Sequence, residues 1–115
     1  AAWVMEDAAR GTPQQRQWVE LASENAWLGL RGFKPRQMVH PTILTDDEWR
    51  NFRIPVLFLV GEHERIYAIS GQEAAARLHR VAPEIEAEVF PACGHDLTLV
   101  QAERFNRRVL EFLEE

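Results

Sequence analysis

Two short segments, 61–66 and 93–97, contain residue types that together could move a proton. The first holds two glutamates and a histidine, and the second holds a cysteine, a histidine and an aspartate. A histidine works as a general base when a carboxylate holds its Nδ1, because the carboxylate fixes the tautomer and stabilises the imidazolium that forms. Glu64 and His95 are the pair favoured for this chemistry.

Three neighbouring residues offer alternatives to that pair. Glu62 could replace Glu64 as the acid, and so could Asp96, although a residue at that position is expected to cap the helix that follows. Cys93 is a poor nucleophile candidate, because a thiol two positions before His95 on one turn rarely aligns with the same imidazole. We therefore expect Cys93 to be a buried packing residue.

The hydrophobic patterns around these segments predict a strand, a helix and a second strand. Residues 56–60 are continuously apolar and β-prone, which is typical of a strand covered on both faces. Residues 70–81 begin with a capping box and continue at helical spacing, and residues 86–90 form a shorter strand. Such a unit implies parallel strands with a right-handed crossover, so Glu64 and His95 are expected at one edge of the sheet.

The remainder of the chain is predicted to be mostly helical. Capping boxes begin helices at Thr12 and Thr45, and residues 33–44, which contain two prolines, form a loop. Apolar residues from Leu99 to Phe112 form the stripe of a single last helix. The tryptophans are expected to pack in the core rather than to bind substrate.

Composition excludes several classes of function. The 115 residues are the size of one domain, and 13 basic against 18 acidic residues give a net charge of −5, which argues against binding to nucleic acid. The longest apolar run, residues 55–60, is too short to span a bilayer, and no signal peptide is expected. One cysteine excludes an internal disulfide, and the histidines lack metal-ligand spacing. We expect a cytoplasmic protein without metal or cofactor.

Three stretches resemble the C-terminal portion of the α/β-hydrolase superfamily. Ile54–Glu64 is similar to the penultimate strand and the turn that bears the triad acid. Phe90–Asp96 resembles the last strand and the Gly-His turn that bears the catalytic base, and Ala102–Leu113 resembles the C-terminal helix. The helical stretch before Pro55 is similar to the end of the cap domain in the esterase and carbon–carbon bond hydrolase branch.

The resemblance implies an α/β fold in two parts. Residues 1–52 would form a helical cap-like segment. Residues 53–115 would form the β-α-β-α end of the hydrolase core, with two parallel strands, a crossover helix and a C-terminal helix.

The resemblance also implies roles for individual residues. It makes His95 the catalytic base and Glu64 the triad acid, a position at which the family usually has aspartate. Ile66 and Leu97, which follow these turns, are implied as residues that border the substrate pocket.

The nucleophile of that family is missing from this sequence. No Gly-x-Ser-x-Gly occurs, and the two serines, Ser23 and Ser70, lie in helical or capping contexts. We therefore expect the C-terminal fragment of a serine hydrolase that acts on small ester-like substrates, inactive by itself. The alternative is a non-catalytic module that functions by association. The apolar strand 56–60 would have an open edge, which predicts a homo-oligomer or a complementing N-terminal fragment.

Overall fold

The computed structural model describes residues 4–34, 42–66 and 69–114. Six helices and two strands follow one another along these ranges: α1 (Glu6–Ala9), α2 (Pro13–Gly32), α3 (Asp46–Arg50), β1 (Leu57–Gly61), α4 (Gly71–Val81), β2 (Glu86–Phe90), α5 (Leu97–Val100) and α6 (Ala102–Glu114). The α/β prediction is confirmed, with β1 one residue later than expected. Part of the predicted loop 33–44, together with Trp3 and His40, lies outside the described residues.

All three predicted capping boxes are present. In each, the hydroxyl of the capping residue accepts the backbone N–H three residues later, and that later side chain accepts the N–H of the capping residue. These reciprocal bonds satisfy two backbone donors that a helix start would otherwise leave unpaired. The capping residues are Thr12 for α2, Thr45 for α3 and Ser70 for α4.

The two strands are parallel, and α4 forms the crossover between them. The register pairs Leu57 with Glu86 at one end and Gly61 with Phe90 at the other. Both strands therefore end at the same level of the sheet. The segments that follow them start side by side, as a parallel pair requires.

Two hydrophobic clusters hold the sheet between the helices. In one, Leu78, Ala82 and Ile85 pack with partly buried residues that include Trp49 and Phe58. In the other, the buried side chains of Phe90, Cys93 and Leu97 pack with Leu59, Val100 and Phe105. Because successive strand residues point to opposite faces, Phe58 and Leu59 send one side chain into each cluster.

Helix α3 is tied to the crossover helix by an arginine. Arg77 of α4 donates to Asp46 Oδ1 from Nε at 2.9 Å and from Nη2 at 2.6 Å, and also to the Leu44 carbonyl at 3.0 Å. The segment before residue 52 thus contacts the segment after it, and the boundary between a cap-like part and a core part stays a prediction.

The structure differs from the sequence predictions at three places. The short helix α1 was not anticipated, and the single last helix is two helices separated at Gln101, whose side-chain amide donates to the Pro91 carbonyl. The expectation that tryptophans lie in the core is wrong for Trp18 and Trp27, which are 54% and 60% exposed. Among the helices that the structure describes, none is long and apolar enough to cross a membrane.

The second edge of β1 has no strand beside it within the described ranges, since the sheet contains only β1 and β2. Exposed apolar side chains also occur on α2, where Val19 alone is buried, and on α6. An open edge and uncovered apolar faces favour association with further polypeptide. Whether that is a second copy or a complementing segment stays a prediction.

Candidate active site

The two turns that follow β1 and β2 are bonded directly to each other. The Glu62 N–H donates to the Phe90 carbonyl and the His63 N–H to the Cys93 carbonyl, both at 2.9 Å. Gly61 permits this approach, because a Cβ there would lie 2.2 Å from the Gly94 carbonyl oxygen. Any larger residue would push the two turns apart.

Glu64 is fixed by the backbone of its own turn. Its side chain is 5% exposed, and Oε1 accepts the N–H groups of Arg65 and Ile66, each at 2.8 Å. These two bonds leave Oε2 directed at the neighbouring turn, where it meets His95 Nδ1 at 2.8 Å. The carboxylate therefore acts as a rigid acceptor for the imidazole.

His95 presents one ring nitrogen to Glu64 and leaves the other available. Its side chain is 42% exposed, and Nε2 makes no hydrogen bond within the part of the chain that the structure describes. An ionised Glu64 can only accept, so Nδ1 carries the proton and Nε2 has the free lone pair. A ring held in this tautomer can accept a proton at Nε2 and become a stabilised imidazolium.

The electrostatics of the turn keep Glu64 ionised. Burial disfavours the carboxylate and by itself would raise its pKa, but hydrogen bonds from Ile66, His95 and Arg65, with the charge of His95, outweigh burial. The pKa of Glu64 is therefore lowered from its ordinary value of 4.5. An acid that stays charged in this way orients its partner without taking up the proton.

Glu62 lies close by but has a different task. Its Oε2 accepts the N–H of Ala92 at 2.8 Å, and its Oε1 accepts from the Gln72 side chain at 3.3 Å. Ala92 has a φ of 55°, a left-handed conformation that is costly for a residue with a side chain. Glu62 thus holds the turn before His95, and the histidine near its carboxylate is His63, whose Nε2 lies 3.8 Å from Oε2.

Cys93 and Asp96 are both buried beside His95. The Cys93 thiol donates to the Phe90 carbonyl at 3.4 Å, and burial, with the negative charges of Asp7 and Asp96, raises its pKa to about 11. Its full burial in the cluster of Phe90 and Leu97 confirms the expected packing residue. Asp96 lies at the N-cap position of α5 as expected, but its side chain makes no cap bond to that helix and accepts the Ala8 N–H instead.

A cleft of about 200 Å³ opens onto Glu64 and His95. It is lined by both turns and by residues of α1, and Ile66 is among its walls. Leu97 is not: it is buried in the cluster of Phe90 and Cys93, and its assignment to a substrate pocket stays a prediction. A larger groove of about 570 Å³, between the start of α2 and helices α5 and α6, contains neither Glu64 nor His95.

Comparison with known proteins identifies two sequences that are similar to this chain. No protein-family model matches the chain. Carboxylesterase YbfK of Bacillus subtilis is 41% identical over 83 residues, or 72% of this chain and 27% of that protein. The uncharacterized carboxylesterase nap of Bacillus subtilis is 40% identical over 87 residues, or 73% of this chain and 27% of that protein.

Solved structures agree with the sequence matches. The crystal structure of Bacillus subtilis carboxylesterase CesB (YbfK) matches with a TM-score of 0.60 at 41% identity, over 72% of this chain and 28% of that one. Naproxen esterase of Bacillus subtilis matches with a TM-score of 0.59 at 40% identity, over 69% and 27%. The chain is similar to part of these carboxylesterases and has part of an α/β-hydrolase fold.

The chain spans about a quarter of the length of the curated proteins it matches, 27% in both cases. Sequence analysis missed one element of its cleft, helix α1. Asp7 and Ala8 of α1 bond to the His95 turn although 87 and 88 positions separate the partners. The only local signal was an aspartate directly after the histidine, and that pattern also fits a helix cap.

The depressed pKa of Glu64 predicts how the stability of the chain varies with pH. A carboxyl whose pKa is lower folded than unfolded stabilises the fold fully above its ordinary value of 4.5, and the contribution is lost as pH falls through the folded pKa. In urea titrations, the unfolding free energy that Glu64→Gln removes should therefore shrink below about pH 4.5. A constant difference down to about pH 2, with Glu103→Gln as the exposed control, would contradict this.

The burial of Cys93 predicts slow modification. A pKa of about 11 instead of the ordinary 9.0 leaves about a hundredfold less thiolate at pH 8, and only the thiolate reacts. Ellman's reagent should label the folded chain at least a hundredfold more slowly than the guanidinium-unfolded chain, with Cys93→Ser as the blank. Equal rates in both states would show an exposed, ionised thiol.

Proposed function

We propose that this chain is the acid and base portion of a serine carboxylesterase, with Glu64 as the triad acid and His95 as the general base. The observation that supports this most is the 2.8 Å contact between Glu64 Oε2 and His95 Nδ1 at the ends of two parallel strands. Two relatives that share this region are named carboxylesterases. The reaction proposed is hydrolysis of a small-molecule ester, and no metal or cofactor takes part in it.

In this mechanism, the nucleophile is a serine from polypeptide outside the 115 residues. His95 Nε2 takes the proton of the serine hydroxyl as its oxygen attacks the ester carbonyl carbon, and a tetrahedral oxyanion forms. The imidazolium then gives that proton to the leaving alkoxide, so an alcohol departs and an acyl-enzyme remains. Water, activated by the same nitrogen, releases the carboxylic acid and restores the serine.

Glu64 supports each proton transfer without being protonated itself. Its charge lies against Nδ1 and favours the imidazolium, and the two backbone bonds from Arg65 and Ile66 keep the carboxylate in place. Glutamate can replace the more usual aspartate here, because its Oε1 is held by the turn and only Oε2 has to reach the ring.

The two serines of the chain do not fit the role of nucleophile. The Ser70 hydroxyl is engaged with Glu73 in the capping box of α4, and Ser23 lies within the regular helix α2. Neither lies on the strand-to-helix elbow that exposes a nucleophile in this kind of enzyme. The proposed reaction therefore requires the remaining part of a hydrolase. The whole protein is proposed to be cytoplasmic.

A second candidate function is a non-catalytic module that works by association. The open edge of β1 and the exposed apolar residues of α2 favour it, because both offer a surface to another chain. It differs from the first proposal in one respect: it needs no intact Glu64–His95 pair.

Activity measurements distinguish these functions. The chain by itself should hydrolyse p-nitrophenyl acetate no faster than free imidazole does, because a base without a nucleophile forms no acyl-enzyme. In a longer protein that includes the upstream coding sequence, His95→Ala should lower kcat by roughly 10⁴-fold, and Glu64→Gln should also lower it strongly.

Matched controls come from the same turn. His63→Ala removes an exposed histidine. Glu62→Gln keeps an acceptor for the Ala92 N–H, and its new NH2 group can be solvated because the Glu62 side chain is 34% exposed, so both variants should leave kcat nearly unchanged. A His95→Ala variant that retains more than about a tenth of the normal rate would rule out His95 as the base. A loss with Glu62→Gln but not with Glu64→Gln would move the acid to Glu62.

A further inference from the structure

Two aspartates tie helix α1 to the turn that carries His95. Asp96 Oδ2 accepts the backbone N–H of Ala8 at 2.7 Å, and Asp7 Oδ2 accepts the backbone N–H of Gly94 at 2.9 Å. Each carboxylate thus binds an amide of the segment to which the other belongs. We call this reciprocal pair of bonds the aspartate clasp.

The bond between Asp96 and Ala8 is buried, and the bond between Asp7 and Gly94 is partly buried, so water has limited access to the clasp. Asp96 is 4% exposed and Ala8 is fully buried. A carboxylate removed from water is unfavourable unless hydrogen bonds compensate it, and bonds between a charged acceptor and an amide are the stronger kind. The Asp96 side chain makes no cap bond to its own helix. The hydrogen bond that compensates its burial is therefore the one it accepts from Ala8 of α1.

The clasp encloses His95 along the chain. Gly94, directly before it, donates to Asp7, and Asp96, directly after it, accepts from Ala8. The Gly94 backbone and the Asp96 side chain, on either side of His95, are therefore bonded to α1, and the imidazole is bonded to Glu64. The orientation of the imidazole depends on the Glu64 bond and on the backbone, because the Glu64 bond fixes Nδ1 and the backbone fixes the position of the Cα atom of His95.

We propose that Asp7 and Asp96 are positioning residues for His95, and that α1 is a structural part of the catalytic machinery rather than a separate cap. The inference rests on the proposed function and extends it, since it assigns roles to residues that do not touch the reacting atoms. Glu6, Asp7 and Arg10 of this segment also line the cleft at His95, so the clasp sets the distance between that wall and the base.

Loss of one clasp bond should lower kcat and leave KM nearly unchanged, because it shifts the base and removes no substrate contact. Asparagine keeps an acceptor oxygen but removes the charge that strengthens each bond, and it adds an NH2 group at a buried or partly buried position, so it weakens the clasp. Displacement of a catalytic group by about 1 Å can reduce the rate roughly 100-fold, so we expect Asp96→Asn and Asp7→Asn to lower kcat roughly 10- to 100-fold. Asp96→Ala, which leaves no acceptor for the Ala8 N–H, should lower it further than Asp96→Asn.

The test uses the longer, active protein and a matched charge control. Asp47→Asn makes the same substitution on α3, where the Asp47 side chain is 86% exposed and pairs with Arg50. It should not change kcat. The double variant Asp7→Asn/Asp96→Asn should lose less than the product of the two single losses, because both bonds hold the same turn. Amide exchange of Ala8 and Gly94 reports loss of each bond independently of activity.

The outcomes distinguish failure of the clasp from failure of the proposed function. Near-normal kcat for Asp7→Asn and Asp96→Asn, with His95→Ala inactive, would overturn the clasp and leave the proposed function standing. An active His95→Ala would overturn the proposed function itself. A rise in KM without a fall in kcat would also show that the aspartates do not position the base. If Asp96→Asn does not fold, the partly exposed Asp7 carries the same test through Asp7→Asn.

Discussion

The parallel register of β1 and β2 is the constraint on which the candidate site depends. Gly61 pairs with Phe90, so the acid turn and the base turn leave the sheet at the same level. Three residues after Gly61 and five residues after Phe90, a carboxylate and an imidazole meet at 2.8 Å. A strand shifted by one residue would also exchange Phe58 and Leu59 between the two hydrophobic clusters, so the packing that favours the fold also fixes the site.

The core and the site are joined through the residues that precede the base. Phe90 and Cys93 are fully buried, and Arg104 of α6 lies over the Phe90 ring with its guanidinium carbon 4.5 Å from the ring centre. The turn that follows is bonded on one side to the acid turn and on the other to α1. The imidazole of His95 is therefore held in one orientation by a rigid backbone and by Glu64, and a general base requires such a fixed orientation.

Much of this arrangement could be predicted from the sequence because its causes are local. Capping boxes and apolar strands are specified by a few neighbouring residues each. The order of strand, helix and strand then brings Glu64 and His95 to one edge of the sheet. The clasp could not be predicted, since the bond between Ala8 and Asp96 spans 88 positions and has no pattern of its own. The exposure of Trp18 depends on what packs against α2, which periodicity does not specify.

The central claim is that Glu64 holds His95 with its Nδ1 protonated and its Nε2 free. Nitrogen-15 NMR of the histidine side chains, recorded at about pH 8 where an ordinary imidazole is neutral, measures this tautomer directly. The account predicts that His95 carries its proton on Nδ1, and that Glu64→Gln shifts the Nδ1 resonance while leaving that of the exposed His63 in place. A His95 protonated on Nε2, with a spectrum that Glu64→Gln does not alter, would contradict it.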